Sequence, residues 1–173
     1  ALFPLGQEGV LVIAGRGGFR IRQVTDRDVR EIYQARKAIE GFGARSLAEQ
    51  PDERRIERLR GFVVAQEQQS FASVAGYYDA NRIIHRAFIQ ETGNRYLLEM
   101  FDSMWNRSLS FHIFSSLSDT TLKQSLTGHV ALVEAIRLGP PDRAAEAMFR
   151  HIDDGLAMQL AALEAARKAG KIA

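Results

Sequence analysis

Three of the four histidines in this sequence lie at helical spacing from apolar residues. His129 precedes Leu132 by three residues and His151 follows Met148 by three, so each imidazole belongs to a helix face that points into a core. His85 is flanked in the same way. The three imidazoles predict a shared divalent metal. Three separate core histidines, each with its own hydrogen bond, are the other interpretation, and the spacing leaves both open.

An oxygen ligand is predicted one helical turn before His85. Asn81 precedes His85 by four residues, so the two side chains reach the same point. Asp79 is six residues away and lies about 120° off that face. We therefore expect Asn81 rather than Asp79 to complete the set. His112 lies among serines and is interpreted as a surface residue or as a neighbour of a metal ligand.

Arg36 places a permanent cation in the middle of an apolar stripe. One candidate partner is Glu40, one turn further on, which would form an ordinary intrahelical pair. The other is a carboxylate ligand, which a guanidinium can hold through two parallel hydrogen bonds. The residues alone leave both partners open. The predicted inward stripe is Val29, Ile32, Arg36, Ile39, Gly43 and Leu47.

The elements that must position these residues are helices. Glycines punctuate residues 1–24, and that pattern predicts a short β-hairpin. From Thr25, a predicted helix cap with Asp26 and Asp28 in the first turn, helical periodicity continues to the end of the chain. The sequence therefore predicts an all-α antiparallel bundle preceded by a hairpin. The six predicted helices cover about 25–49, 51–69, 70–92, 95–117, 118–138 and 141–168.

Composition excludes several classes of protein. The chain has 173 residues, of which 46% are hydrophobic and 25% charged, and this is a normal globular balance. It contains no cysteine, so thiolate metal sites and disulfides are excluded. No apolar run approaches the roughly 18 to 20 residues of a spanning helix. The expected location is the cytoplasm, with no membrane partner.

Four segments carry a resemblance to a known family. They are RKAIEGFGARSLAE at 36–49, NRIIHRAFIQETGN at 81–94, HVALVEAI at 129–136 and DRAAEAMFRHI at 142–152. In this order they resemble the FCD domain, the effector-binding domain of GntR-type transcription regulators of the FadR subfamily. The resemblance covers about 25–160. Residues 1–24 look like the end of the recognition helix and the wing of a winged helix-turn-helix.

The resemblance implies both a fold and a function. The expected fold is a bundle of six to seven helices at 25–173. The implied metal is zinc in the first place, with nickel or manganese as alternatives. Its implied ligands are Asn81, His85, His129 and His151, with a small carboxylic acid completing the metal shell and facing Arg36. The implied partners are operator DNA, which Arg16 and Arg20 of the wing would contact, and a second copy in a homodimer.

Two positions depart from the family pattern. Asn81 stands where many members have aspartate, and Ile84 replaces the usual phenylalanine. A neutral amide leaves the charge of the ion uncompensated, so we expect weaker metal binding and stronger attraction for an anionic effector. The change at Ile84 affects packing only.

The expected function is a ligand-responsive DNA-binding regulator, not an enzyme. A metal-dependent hydrolase is the first alternative, because three histidines are also a catalytic zinc set. The sequence offers no clear general base for such an enzyme, because it contains no HExxH motif and Glu134 lies about 140° off the face of His129. A metal-free small-molecule-binding bundle is the second alternative.

Overall fold

The computed structural model of this chain describes residues 24–105, 111, 114, 115 and 117–170 in full. It also describes the backbone of two strands, β1 (Leu11–Ala14) and β2 (Gly18–Ile21), which pair antiparallel with Leu11 opposite Ile21. Both strands lie within the range of the predicted hairpin. Arg16 and the side chain of Arg20 lie outside the described residues, so their DNA contacts stay predictions.

Helices make up the rest of the described chain, which confirms the all-α prediction. They follow one another as α1 (Asp26–Arg36), a π-helical segment (Lys37–Gly41), α2 (Phe42–Glu49), α3 (Glu53–Glu67), α4 (Val74–Glu91), α5 (Arg95–Trp105), α6 (Asp119–Gln124), α7 (His129–Leu138) and α8 (Pro141–Lys168). No helix in this part of the chain is long and apolar enough to cross a membrane.

The first predicted helix, 25–49, is not a regular α-helix throughout. It begins as expected at Thr25, whose hydroxyl accepts from the backbone nitrogen of Asp28 while the Asp28 carboxylate accepts from that of Thr25. The π-helical segment that follows is one wider turn of helix. Along the whole stretch 25–49 the inner face includes Tyr33 and Glu40, whereas the predicted stripe positions Ile32 and Ile39 are only partly buried.

Two other predicted boundaries are wrong. The third helix is capped by Ser73, whose hydroxyl accepts from Gly76, and not by Ser70. The fifth predicted helix is divided into α6 and α7 by Gly128, which has a φ of 91° that only glycine adopts readily. Of the fourth prediction, 95–117, the described helical part is α5; most of the remainder lies outside the described residues.

The long helix α8 organises the bundle. It packs along α1, the π-helical segment, α2 and α7, while α4 packs against α3 and α5. Fully buried side chains such as Phe88 of α4 and Ile152 of α8 fill the space between these layers. The centre of the bundle is therefore enclosed by α1, α4, α7 and α8, the helices that carry the predicted site residues.

The cap of α1 generates a test of this local structure. Replacing Thr25 by alanine removes the hydroxyl that accepts from Asp28, and the free energy of unfolding should fall by about 1 kcal/mol. Thr25→Ser keeps the hydroxyl and should stay close to wild type. Urea denaturation followed by circular dichroism measures both. Equal stability of the alanine and serine variants would contradict the capping role.

Candidate metal centre

The three predicted histidines meet at the centre of the bundle. His85 comes from α4, His129 from the first position of α7 and His151 from α8, and one ligand atom from each lies within 4.8 Å of the others. The side chains of His85 and His129 are buried, and that of His151 is half-buried. The sequence predicted that each points inward, and their convergence is a finding of the structure.

The spacing of two ring nitrogens fits a metal. The Nε2 atoms of His85 and His129 are 3.3 Å apart. Two nitrogens bound tetrahedrally to zinc, each at about 2.0 to 2.1 Å, are separated by about 3.3 Å. Two neutral imidazoles would also meet at this distance through a hydrogen bond, but then one Nε2 would have to carry a proton.

Two carboxylates contact the Nδ1 atoms of these imidazoles. Nδ1 of His85 is 2.6 Å from Oε2 of Glu40, and Nδ1 of His129 is 3.1 Å from Oε1 of Glu67. A carboxylate accepts from Nδ1–H, and this leaves the lone pair on Nε2. Each Nε2 atom therefore keeps a lone pair that a metal ion could bind. The histidines present here fit a divalent ion.

Burial keeps His85 and His151 neutral by lowering the pKa of each imidazole. It lowers the pKa of His85 to about 4, although the Glu40 carboxylate works in the opposite direction. It also lowers the pKa of His151 far below its usual value, and the two neighbouring histidines add to this effect. A neutral imidazole has a free lone pair, so His85 and His151 need lose no proton to bind a metal at neutral pH.

Asn81 lies beside the histidines, as its spacing predicted. It is buried and lines the same cavity as His85, and its Nδ2 donates to the backbone oxygen of Ser125 at 2.7 Å. This bond uses the amide nitrogen, so a ligand bond from Asn81 would come from Oδ1. Asp79 points elsewhere: its side chain is 65% exposed and lies 3.6 Å from Arg82.

Arg36 has the partner that helical spacing offers, but the pair is not an ordinary surface one. Its Nε donates to Glu40 at 2.8 Å and its Nη2 at 3.4 Å, and both side chains are buried. Burial alone would raise the pKa of Glu40, but Arg36 and His85 together hold it well below its usual range. Nη2 of Arg36 also lies 3.2 Å from Nε2 of His85. One carboxylate thus orients both the cation and a candidate ligand.

A cavity of about 230 Å³ opens beside the histidines. Its lining includes Arg36, Asn81, His85 and His151, which are four of the five site residues predicted for this helical domain. Any small molecule in the cavity would contact a buried guanidinium on one side and the candidate metal ligands on the other. The arrangement suits an anion.

Sequence reasoning missed Glu67, although a signal was present. Ile56, Leu59 and Val63 are the buried face of α3, and Glu67 continues that face four residues after Val63. Its carboxylate also accepts from the backbone nitrogen of His129 at 2.6 Å. A charged residue on an apolar stripe, the feature that identified Arg36, identifies Glu67 as well.

Of two further residues named from the sequence, Glu134 is described by the structure and His112 is not. Glu134, weighed as a general base, pairs with Arg60 of α3 at 3.0 Å and is not among the residues that line the cavity. His112 lies outside the described residues, so its interpretation stays a prediction.

Comparison with known proteins identifies relatives among transcription regulators. The FCD domain family matches residues 31–154. A curated relative, the probable D-xylose utilization operon transcriptional repressor of Paenarthrobacter nicotinovorans, is 26% identical over 136 residues. That match covers 78% of this chain and 59% of the relative, so the chain spans about three fifths of the relative's length.

Solved structures share the fold. A GntR transcriptional regulator from Rhodococcus sp. RHA1 has a TM-score of 0.68 at 18% identity, covering 92% of this chain and 77% of that one. E. coli McbR/YncC has a TM-score of 0.67 at 16% identity, covering 92% and 76%. The metal-free FCD domain of TM0439 has a TM-score of 0.63 at 18% identity, covering 83% and 99%.

The buried Arg36–Glu40 pair has a matched control on the same helix. Glu40→Gln leaves the guanidinium buried without an anion, so the free energy of unfolding should fall by about 3 to 5 kcal/mol. Arg27 and Glu31 have the same spacing, but their side chains are 86% and 57% exposed. Glu31→Gln should therefore change little. Urea denaturation of both variants compares them, and equal losses would contradict a special role for Glu40.

Proposed function

Because this chain belongs to the FCD domain family and is homologous to GntR-type transcription regulators, we propose that it is the sensing part of such a regulator. In this proposal it binds a divalent metal together with a small carboxylic acid, and acid binding controls the affinity of the regulator for operator DNA. The observation that carries the proposal is the convergence of three histidines beside a cavity lined by a buried arginine.

The proposed metal ligands are Nε2 of His85, Nε2 of His129, a ring nitrogen of His151 and Oδ1 of Asn81. Zinc is the first candidate because it favours nitrogen ligands at this spacing, with nickel or manganese as alternatives. An ion bound here would supply a double positive charge and an open coordination position for an anion.

The carboxylates behind the histidines change the expected charge of the site. Asn81 is neutral, but Glu67 contacts His129 and Glu40 contacts His85. Such carboxylates make the imidazoles better ligands. Arg36 already compensates Glu40, which leaves Glu67 as the carboxylate that opposes the charge of an ion. We therefore expect Glu67 to support metal binding more than the neutral Asn81 does.

Arg36 is the proposed contact for the acid. Its guanidinium lines the cavity, and its Nη2 faces the same Nε2 of His85 that would hold the ion. Two positive charges would therefore stand side by side, and a carboxylate in the cavity would be attracted to both.

The proposed regulator also needs a part that binds DNA. We propose DNA contacts through Arg16 and Arg20 in a winged helix-turn-helix, and a homodimer that presents two such units. A coupling of about 1 to 3 kcal/mol between acid and operator would change DNA affinity roughly 5- to 150-fold. No catalytic step is needed. A metal-dependent hydrolase and a metal-free binding bundle remain the competing functions.

Metal binding is tested on histidine variants. Protein purified without chelator and dialysed against zinc should hold about one zinc per chain by elemental analysis. His129→Ala should lose this zinc, because it removes one of three imidazoles. Asp79→Ala, a change at an exposed carboxylate on the same helix as His85, should retain it. Absence of zinc from the wild-type protein would leave the metal-free bundle as the better function.

Acid binding is tested with a thermal-shift panel and then by calorimetry on the acids that stabilise the protein. Arg36→Lys keeps a cation beside Glu40 but loses the planar fork. The acid should bind roughly 10- to 100-fold more weakly, corresponding to loss of charge-assisted hydrogen bonds, with zinc content unchanged. D-xylose belongs in the panel, since a relative is named for its utilization. Stabilisation by D-xylose but by no acid would contradict the proposal, and turnover of an acid would favour the hydrolase.

A further inference from the structure

We propose that the acid sensed by this cavity carries a hydroxyl group close to its carboxylate, and that Trp105 and Gln159 recognise that hydroxyl. The inference rests on the proposed function, because the acid is the one held by Arg36. It goes further by assigning a chemical class, short hydroxy acids, and two residues that select it.

Two buried polar atoms lack a hydrogen-bond partner. Among the side chains that the structure describes, these atoms are Nε1 of Trp105 and Oε1 of Gln159. The two side chains are 5% and 2% exposed, so bulk water does not satisfy them. Buried donors and acceptors in folded proteins almost always have a partner, so two unpartnered atoms on residues that line a cavity are candidates to hydrogen-bond a molecule bound there.

Both residues line the same small lobe. The lobe has a volume of about 20 Å³, and Arg36 and Tyr33 line it as well. It adjoins the larger cavity, because Tyr33, Arg36, Phe114 and Gln159 line both. A space of this size holds about one water-sized group. A group that enters the lobe therefore has a single heavy atom or little more.

A hydroxyl meets the requirements of both orphaned atoms. Its oxygen accepts from the indole N–H of Trp105, and its own hydrogen is donated to Oε1 of Gln159. An ammonium group cannot accept from the indole, and a keto oxygen cannot donate to the amide. A second carboxylate has the same defect as the keto group and is larger than the lobe.

The orientation of the Gln159 amide decides which groups are excluded. The structure leaves Oε1 of Gln159 without a partner, and a group that satisfies both this oxygen and the indole N–H of Trp105 must accept and donate, as a hydroxyl does. If the amide nitrogen faced the lobe instead, a hydroxyl would accept from both residues, but a keto oxygen would do so as well. Preference for a hydroxy acid over the matching keto acid therefore depends on Oε1 facing the lobe.

The position of Trp105 brings the hydroxyl close to the charged end of the acid. The guanidinium of Arg36 lies 4.6 Å from the centre of the indole ring, and the His85 ring stacks on the indole with a centroid distance of 5.9 Å. Arg36, Trp105 and Gln159 all line the lobe, which has the size of about one water molecule. A molecule that contacts all three has its hydroxyl on the second or third carbon of the acid.

The decisive experiment uses pairs of acids that differ only in the hydroxyl: lactate with propionate, and 3-hydroxybutyrate with butyrate. Calorimetry on wild-type protein, with and without one equivalent of zinc, should show at least one hydroxy acid binding about tenfold more tightly than its partner or better, because the partner leaves buried polar groups unpaired. Trp105→Phe and Gln159→Leu should reduce this ratio to about threefold or less, because each removes one of the two recognising groups.

Matched controls separate the hydroxyl contact from other effects. Gln69→Leu makes the same chemical change at an exposed residue and should keep the wild-type ratio. In Trp105→Phe the affinity for lactate should fall by a larger factor than the affinity for propionate, since phenylalanine keeps a ring against Arg36 but has no N–H for the hydroxyl. A hydroxyl that binds the zinc ion instead of the indole would keep the full ratio in Trp105→Phe and would overturn the inference.

A spectroscopic readout keeps the test independent of variant folding. Trp105 is the only tryptophan in the sequence, so the ¹H–¹⁵N spectrum contains a single indole signal. A hydroxy acid should move this signal downfield and slow its exchange with solvent, whereas the matched acid should not. If both acids bind equally and the signal stays in place, the inference fails and the proposed function stands. If no acid binds at all, both fail.

Discussion

The buried carboxylate of Glu40 is the interaction on which the site depends. It is fully buried, and it contacts the guanidinium of Arg36 on one side and Nδ1 of His85 on the other. Without it the guanidinium would be an unpaired charge in the core, which is strongly unfavourable, and the tautomer of His85 would not be fixed. Because a single side chain holds both groups, the cation and the imidazole cannot move independently. An anion that draws Arg36 into the cavity acts on His85 as well.

An irregular helix makes room for this arrangement. The π-helical segment Lys37–Gly41 contains Glu40 and directly follows Arg36, and such segments often occur where a helix carries a functional site. It ends at Gly41, where a Cβ atom would lie 2.1 Å from the ring of Phe149. Glycine at this position therefore leaves room for the Phe149 ring where α8, which carries His151, packs against the π-helical segment. Local backbone geometry and the close approach of a distant helix therefore serve the same site.

Helical periodicity in the sequence predicted the features that depend on residues close together in the chain. The helices, the cap at Thr25 and the inward faces of His85, His129 and His151 follow from spacing within a single element. The contact between Glu67 and His129 joins residues 62 positions apart, and no local pattern predicts which distant groups meet. The division at Gly128 was missed because an isolated glycine is tolerated in a helical pattern. Trp105 was overlooked for another reason: on an apolar face, an aromatic residue that binds a ligand has the same pattern as one that only fills the core.

Glu67 also has a mechanical consequence. The residue before α7 is Gly128, which has no side chain to cap the helix, and the carboxylate of Glu67 accepts from the first backbone nitrogen of α7. The bond that orients the imidazole of His129 and the bond that fixes the start of α7 thus share one oxygen atom. A displacement of His129 would therefore move the start of α7. Because α7 is a rigid helix of ten residues and about 15 Å in length, its other end, the exposed Leu138, would move as well.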